Sequence, residues 1–96
     1  MPSFQTVLAG ANFRPAEARD MCKSLDIGEE LTLVPDPDNE YDSFAVQVHA
    51  YGTFIGFIPK SDNAAVFAAL ERGEEVGCEI VGAMSGLKPI LEITLP

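Results

Sequence analysis

Basic residues are scarce in this chain. Six lysines and arginines stand against fifteen aspartates and glutamates, a net charge of −9 over 96 residues. Arg14, Arg19, Lys23, Lys60, Arg72 and Lys88 are scattered singly, so there is no basic stripe of the kind that holds DNA chiefly by its phosphates. An acidic body repels polyanions at long range. Any contact with nucleic acid must therefore be short, local and set by few residues.

Long apolar runs are also missing. None approaches the roughly 18 residues of a membrane span, and Met1-Pro2-Ser3-Phe4-Gln5 is not a basic segment leading into an apolar one. A cytosolic protein without membrane association is the expectation. The two cysteines, Cys22 and Cys78, have no partner at metal-ligand spacing and read as small buried hydrophobes.

Catalytic signals are equally thin. The one histidine, His49, lies in a strand pattern, where a packed or surface imidazole is the ordinary account. No Gly-x-Ser-x-Gly, phosphate loop or dinucleotide fingerprint occurs. Asp36, Asp38 and Glu40 take alternate positions of a would-be calcium loop. Tyr41, however, stands where that loop needs glycine, and Gln47 where it needs glutamate. A non-catalytic protein with no cofactor and no metal is expected.

Apolar spacing divides the chain into short elements. Phe4, Val7, Leu8 and Ala9 suggest a strand ended by Gly10. Ala18, Met21, Cys22 and Leu25 recur at helical spacing behind Pro15, a residue suited to the first helical position, and predict a helix from about Pro15 to Leu25. Leu31 to Val34 reads as a strand stopped by Pro35 and Pro37, neither of which donates to a ladder. Phe44 to His49 and Thr53 to Ile58 predict a hairpin around Ala50-Tyr51-Gly52, with Phe44, Ala45 and Val46 buried on both faces. Ser61 is placed to cap a second helix that buries Val66, Phe67 and Leu70 and ends at Gly73. Val76, Cys78 and Ile80, then Leu87, Pro89, Leu91, Ile93 and Leu95, alternate as two half-buried strands turning at Met84-Ser85-Gly86. The fold class is mostly β with two helices, a small antiparallel β-barrel of about six strands, as one unit over residues 1–96.

The most informative stretch is Asp36-Pro37-Asp38-Asn39-Glu40-Tyr41-Asp42, a crowded polar turn with a tyrosine among its acids. A turn that only reverses the chain rarely needs an aromatic ring, whereas a surface that grips something planar often does. Gly56-Phe57-Ile58-Pro59-Lys60 follows one hairpin later. Taken with Ala45-Val46-x-Val48, these segments resemble the HIRAN domain family. There an Asn-Pro-Tyr-Asp turn leads into Ala-Ile/Val-x-Val, and a Gly-tyrosine/histidine-hydrophobic-Pro-basic segment comes next. Gly10-Ala11-Asn12-Phe13-Arg14 and Ile27-Gly28-x-x-Leu31-x-Leu33 also look like the family, and the likeness covers about residues 6 to 95. Glu40 departs from it, standing where the family has proline.

The resemblance implies an OB-like barrel with a pocket for the 3′ end of single-stranded DNA, working beside a helicase or nuclease. Tyr41 would stack on a base, Asn39 and Asp42 would hydrogen-bond the terminal nucleotide, and Lys60 would meet a phosphate. Phe13 and Phe57 would supply further rings. The residues alone leave plainer accounts open. Asn39 and Asp42 satisfy a turn through side chain-to-backbone bonds, Tyr41 packs over a rim, and the acidic surface docks a basic partner, even imitating DNA toward it.

Overall fold

Every second residue of Lys88–Thr94 faces inward: Pro89, Leu91 and Ile93 are buried while Lys88, Glu92 and Thr94 are not. This strand, β6, is the spine of one sheet. The computed structural model describes residues 2–96; Met1 lies outside them. β1 (Ser3–Val7) and β5 (Gly77–Ser85) pair antiparallel on either side of β6, which sets Thr6 opposite Leu91 and Cys78 opposite Ile93. The second sheet holds β2 (Thr32–Pro35), β3 (Val46–Ala50) and β4 (Thr53–Phe57), with β3 in the middle and both pairings antiparallel.

Tyr51 and Gly52 alone join β3 to β4, with φ of 51° and 80°. Two successive positive φ values give the turn a twist that matches a right-handed hairpin. The strain of a bulky residue there is offset by a 2.7 Å hydrogen bond that the Tyr51 hydroxyl donates to Glu29 Oε1.

The six expected strands and two helices are present, laid out as two three-stranded sheets that meet at two seams. At the first, Ala9 bridges Phe57; at the second, Glu30 bridges Glu79. Between the sheets lies the core, where Val46, Val48, Ile55, Val66, Leu91 and Ile93 are fully buried. Cys22 and Cys78 belong to this core as free thiols, and burial pushes Cys78 up to about 12. Among the described residues no helix is long and apolar enough to cross a membrane.

α1 (Ala16–Ser24) follows a 3-10 turn over Ala11–Phe13 and lies against β4. Its stripe is the expected one, with Ala18 and Cys22 buried and Met21 and Leu25 packed at the core edge. Pro15 sits at the N-cap, one residue earlier than anticipated. α2 (Ala64–Glu71) starts after Asn63, not Ser61, because Pro59 to Asp62 first closes a turn through a 2.9 Å backbone bond. The last hairpin turns at Gly86-Leu87, and Pro35 ends β2 from within its pairing with Val46. Phe44 departs furthest from expectation. It is 51 % exposed and sets its ring edge-on to Phe67 at 5.6 Å, on the outside of α2 rather than between the sheets.

Candidate functional site

The turn between β2 and β3 is held together by its own side chains. Asn39 Oδ1 accepts the backbone N–H groups of Tyr41 and Asp42 at 2.9 and 3.1 Å, the Asx geometry that lets a short polar residue stand in for a strand partner. Asn39 Nδ2 donates to Asp36 Oδ2 at 3.2 Å, and Gln47 Nε2 donates to the same oxygen at 3.1 Å from β3. Gln47 Oε1 in turn lies 2.8 Å from His49 Nε2. A polar chain thus runs from the β3 side of the sheet to the tip of the turn. It consumes the acceptor of Asn39 and leaves one amide N–H of its Nδ2 group for anything outside.

Asp42 is pinned twice. The Phe44 N–H donates to Oδ1 at 2.9 Å and Asn63 Nδ2 to Oδ2 at 2.7 Å. The Phe44 bond first, then the Asn63 bond and the charge of Lys60, hold this carboxyl below the ordinary aspartate value. It is an anion that only accepts. Each oxygen retains a lone pair beyond the one it uses.

Phe57 is placed from the other side. Its ring meets Phe54 edge-on at 5.1 Å, and Phe54 stacks on His49 at 5.5 Å. The Arg14 guanidinium covers the Phe54 ring at 3.8 Å and donates to the Phe54 carbonyl, so this arginine is committed to the fold. Burial, and then the charge of Arg14, lower the pKa of His49.

The two arms converge on one open pocket of about 390 Å³ at the Ala9–Phe57 seam. Asn39, Tyr41, Asp42, Phe57 and Lys60 line it, so five of the six residues singled out from sequence share a single cavity. Tyr41 is 83 % exposed, its ring open to solvent at the rim. Lys60 is exposed and, among the described residues, forms no ion pair. Phe13 stands apart: it is 86 % exposed on the 3-10 turn and does not line the pocket. Its neighbour Asn12 lines an adjacent cavity that shares Ala9 with the first and reaches Lys88.

Ala9, Ala45 and Ile58 complete the apolar floor. No periodicity distinguishes them from core residues: Ala45 and Ile58 are themselves buried, and only the meeting of the two sheets makes them a pocket floor. Asn63, tied to the site through Asp42, does carry a sequence signal. An asparagine is a ready N-cap, yet its side chain makes no cap bond and reaches Asp42 instead.

The second seam has the opposite character. Its pocket, about 360 Å³, is lined by Glu30, Glu75, Glu79 and Glu92 with no basic residue. Part of the negative charge is therefore gathered at a seam other than the one that carries Tyr41 and Lys60.

No curated protein matches the chain in sequence. Among solved structures, the crystal structure of a protein from Lactobacillus plantarum superposes with a TM-score of 0.82 at 14 % identity, covering 96 % of this chain and 93 % of that one. The crystal structure of the HIRAN domain of human HLTF superposes with a TM-score of 0.78 at 20 % identity, covering 97 % of this chain and 74 % of that one. At such identities the likeness establishes a shared fold. Sequence settles membership: residues 1–85 match the HIRAN domain model, and the chain belongs to the HIRAN domain family, a family of nucleic-acid-binding domains.

Proposed function

We propose that this chain is a non-catalytic, cytosolic module, one unit over residues 1–96, that binds the 3′ end of single-stranded DNA in the pocket at the Ala9–Phe57 seam. The observation that carries this is the convergence of an open phenol ring, an ionised carboxylate and an exposed ammonium around one apolar floor. The two seam bridges support reading the paired sheets as an OB-like barrel with this pocket at its edge.

A terminal base stacks on Tyr41, with Phe57 beneath the sugar. Stacking of this kind contributes roughly 1–3 kcal/mol per base and ignores sequence. The 3′-hydroxyl donates to Asp42 and accepts the free N–H of Asn39, while Lys60 meets the preceding phosphate. A 3′-phosphate is disfavoured because it would bring negative charge against a fixed anion. Phe13, outside the pocket, contributes only once the strand extends past the first nucleotide. With no basic stripe the affinity is modest, which suits a module that works beside a helicase or nuclease.

Fluorescence anisotropy at low salt tests this with labelled oligothymidylates ending in 3′-hydroxyl or 3′-phosphate. The hydroxyl end should bind at least about tenfold more tightly, equivalent to one charge-assisted hydrogen bond. Equal affinity for the two ends removes the end-recognition reading.

A second reading has its own observation. Glu79 stands opposite Glu92 in the β5–β6 ladder and bridges Glu30 across the other seam. Like charges opposed across strands are unfavourable for stability, and a basic partner docked on that row would relieve them.

A further inference from the structure

Asn63 is 2 % exposed, and among the described residues it is the one buried polar side chain at the start of a helix. An asparagine in that position ordinarily turns its side chain onto its own helix to satisfy a free N–H. Here no such bond forms; Nδ2 points away from α2 and donates to Asp42 Oδ2 at 2.7 Å. Meanwhile the Asn63 carbonyl accepts the first helical bond, from Phe67 N at 2.8 Å. The residue before it is also tied outward, since Asp62 Oδ2 accepts from Thr6 of β1 at 2.7 Å. Backbone and neighbour are therefore fixed, and the Asn63 amide is a rigid donor aimed at a pocket residue without lining the pocket itself.

We propose that Asn63 is a positioning residue for ligand binding, locking Asp42 in the one rotamer that turns its unused lone pairs into the pocket. This rests on the binding reading above. With Phe44 N on one oxygen and Asn63 Nδ2 on the other, the carboxylate cannot rotate about its own axis. Remove the Asn63 donor and Asp42 keeps its charge but swings on a single bond. Hydroxyl selectivity then falls, because it depends on direction as well as charge.

The charged and titratable groups around the pair are few. Lys60 faces Asp42 from the Pro59 turn. Asp36 lies across Asn39, Asp62 is turned to Thr6, and Glu40 and Tyr41 flank Asp42 in its own turn.

Two variants test the proposal by anisotropy with a 3′-hydroxyl oligothymidylate at about pH 7.5 and about pH 5. Asn63→Ala should bind about tenfold more weakly while binding of the 3′-phosphate oligonucleotide stays unchanged. Asn63→Asp keeps the shape but opposes two carboxylates, so it should bind weakly at the higher pH. At the lower pH it should recover toward wild type, as one shared proton restores a donor. The wild type should change far less between the two conditions. A purely structural role for Asn63 would weaken binding of the 3′-hydroxyl and 3′-phosphate oligonucleotides alike and leave their ratio unchanged, and this second variant stands if Asn63→Ala fails to fold. Wild-type affinity and selectivity in Asn63→Ala, or an Asn63→Asp profile parallel to wild type, overturns the inference alone. A wild type that binds neither oligonucleotide removes the binding reading and this role with it.

Discussion

Ala9 and Phe57 exchange two backbone hydrogen bonds, each N–H donating to the other's carbonyl at 2.9 Å. This clasp joins the two sheets and forms one wall of the pocket, since both residues line it. Its closeness depends on Gly56. A Cβ there would fall 2.7 Å from the Ala9 carbonyl oxygen and 2.9 Å from Leu8 Cγ and Cδ1. The first of these is backbone that is already engaged with Phe57, so it cannot step aside without opening the clasp.

Gly56→Ala should therefore destabilise the protein by about 1–3 kcal/mol, the usual range for overpacking a tight site. Chemical denaturation measures the loss. Hydrogen exchange at the amides of Ala9 and Phe57 should report it locally, with those two losing protection before the β5–β6 ladder does. Unchanged protection at both amides would show that the chain absorbs the methyl elsewhere.

Tyr41 separates binding from folding. Its ring is 83 % exposed, so its removal leaves no cavity, and Tyr41→Ala should shift stability by less than about 0.5 kcal/mol. The same substitution removes the stacking surface and should weaken oligonucleotide binding by roughly 1–3 kcal/mol. Tyr41→Phe should restore most of it, since the ring and not the hydroxyl does the stacking. A thermal melt and an anisotropy titration on the same samples decide the matter; a large loss of stability would mean the ring packs over the rim after all.

How much of this was legible in the sequence depends on whether a residue's role is local. The α1 stripe and the alternation of β6 follow from the spacing of apolar residues, and the hairpin expected around Ala50-Tyr51-Gly52 is legible because its turn is set by the backbone of adjacent residues, although Ala50 itself closes β3. The separate segments around Tyr41 and Phe57 were legible as family motifs. Their convergence on one cavity comes from the register of β3 against β4 and the clasp at Ala9. An apolar run does not say where a strand begins: β3 starts at Val46, and Phe44 belongs to the preceding turn. Local preference favours Ser61 as the cap, but the start of α2 is set by the Pro59 turn and by the reach of Asn63 to Asp42, which no local preference encodes.

His49 gives stability a pH dependence whose sign is fixed. Burial, with the Arg14 charge second, lowers its folded-state pKa below the ordinary value of 6.5. Between the two values the unfolded chain carries a proton that the folded chain does not. Protonation then favours unfolding, so this contribution is fully present above about 6.5 and is lost as pH falls through it. Urea denaturation between about pH 7.5 and about pH 5.5 should show stability declining on acidification. His49→Gln, which keeps a polar partner for Gln47, should flatten that slope. A variant with the wild-type slope would assign it to the carboxylates instead.

Glu79 distinguishes the two functional readings. It faces Glu92 on one side and Glu30 on the other. Glu79→Lys turns both oppositions into attractions and should stabilise the protein by about 0.2–1 kcal/mol, an effect that fades as salt shortens the reach of surface charges. The substitution lies at the seam away from the Tyr41 pocket and makes the protein two charges less negative. It should therefore tighten oligonucleotide binding slightly at low salt, through weaker long-range repulsion, and leave the preference for a 3′-hydroxyl unchanged. A basic partner seated on the glutamate row would respond in the opposite sense, because the new ammonium stands at the centre of its contact. Stabilisation together with intact end preference places function at the Ala9–Phe57 seam; loss of a partner alongside that same stabilisation moves it to the Glu30–Glu79 seam.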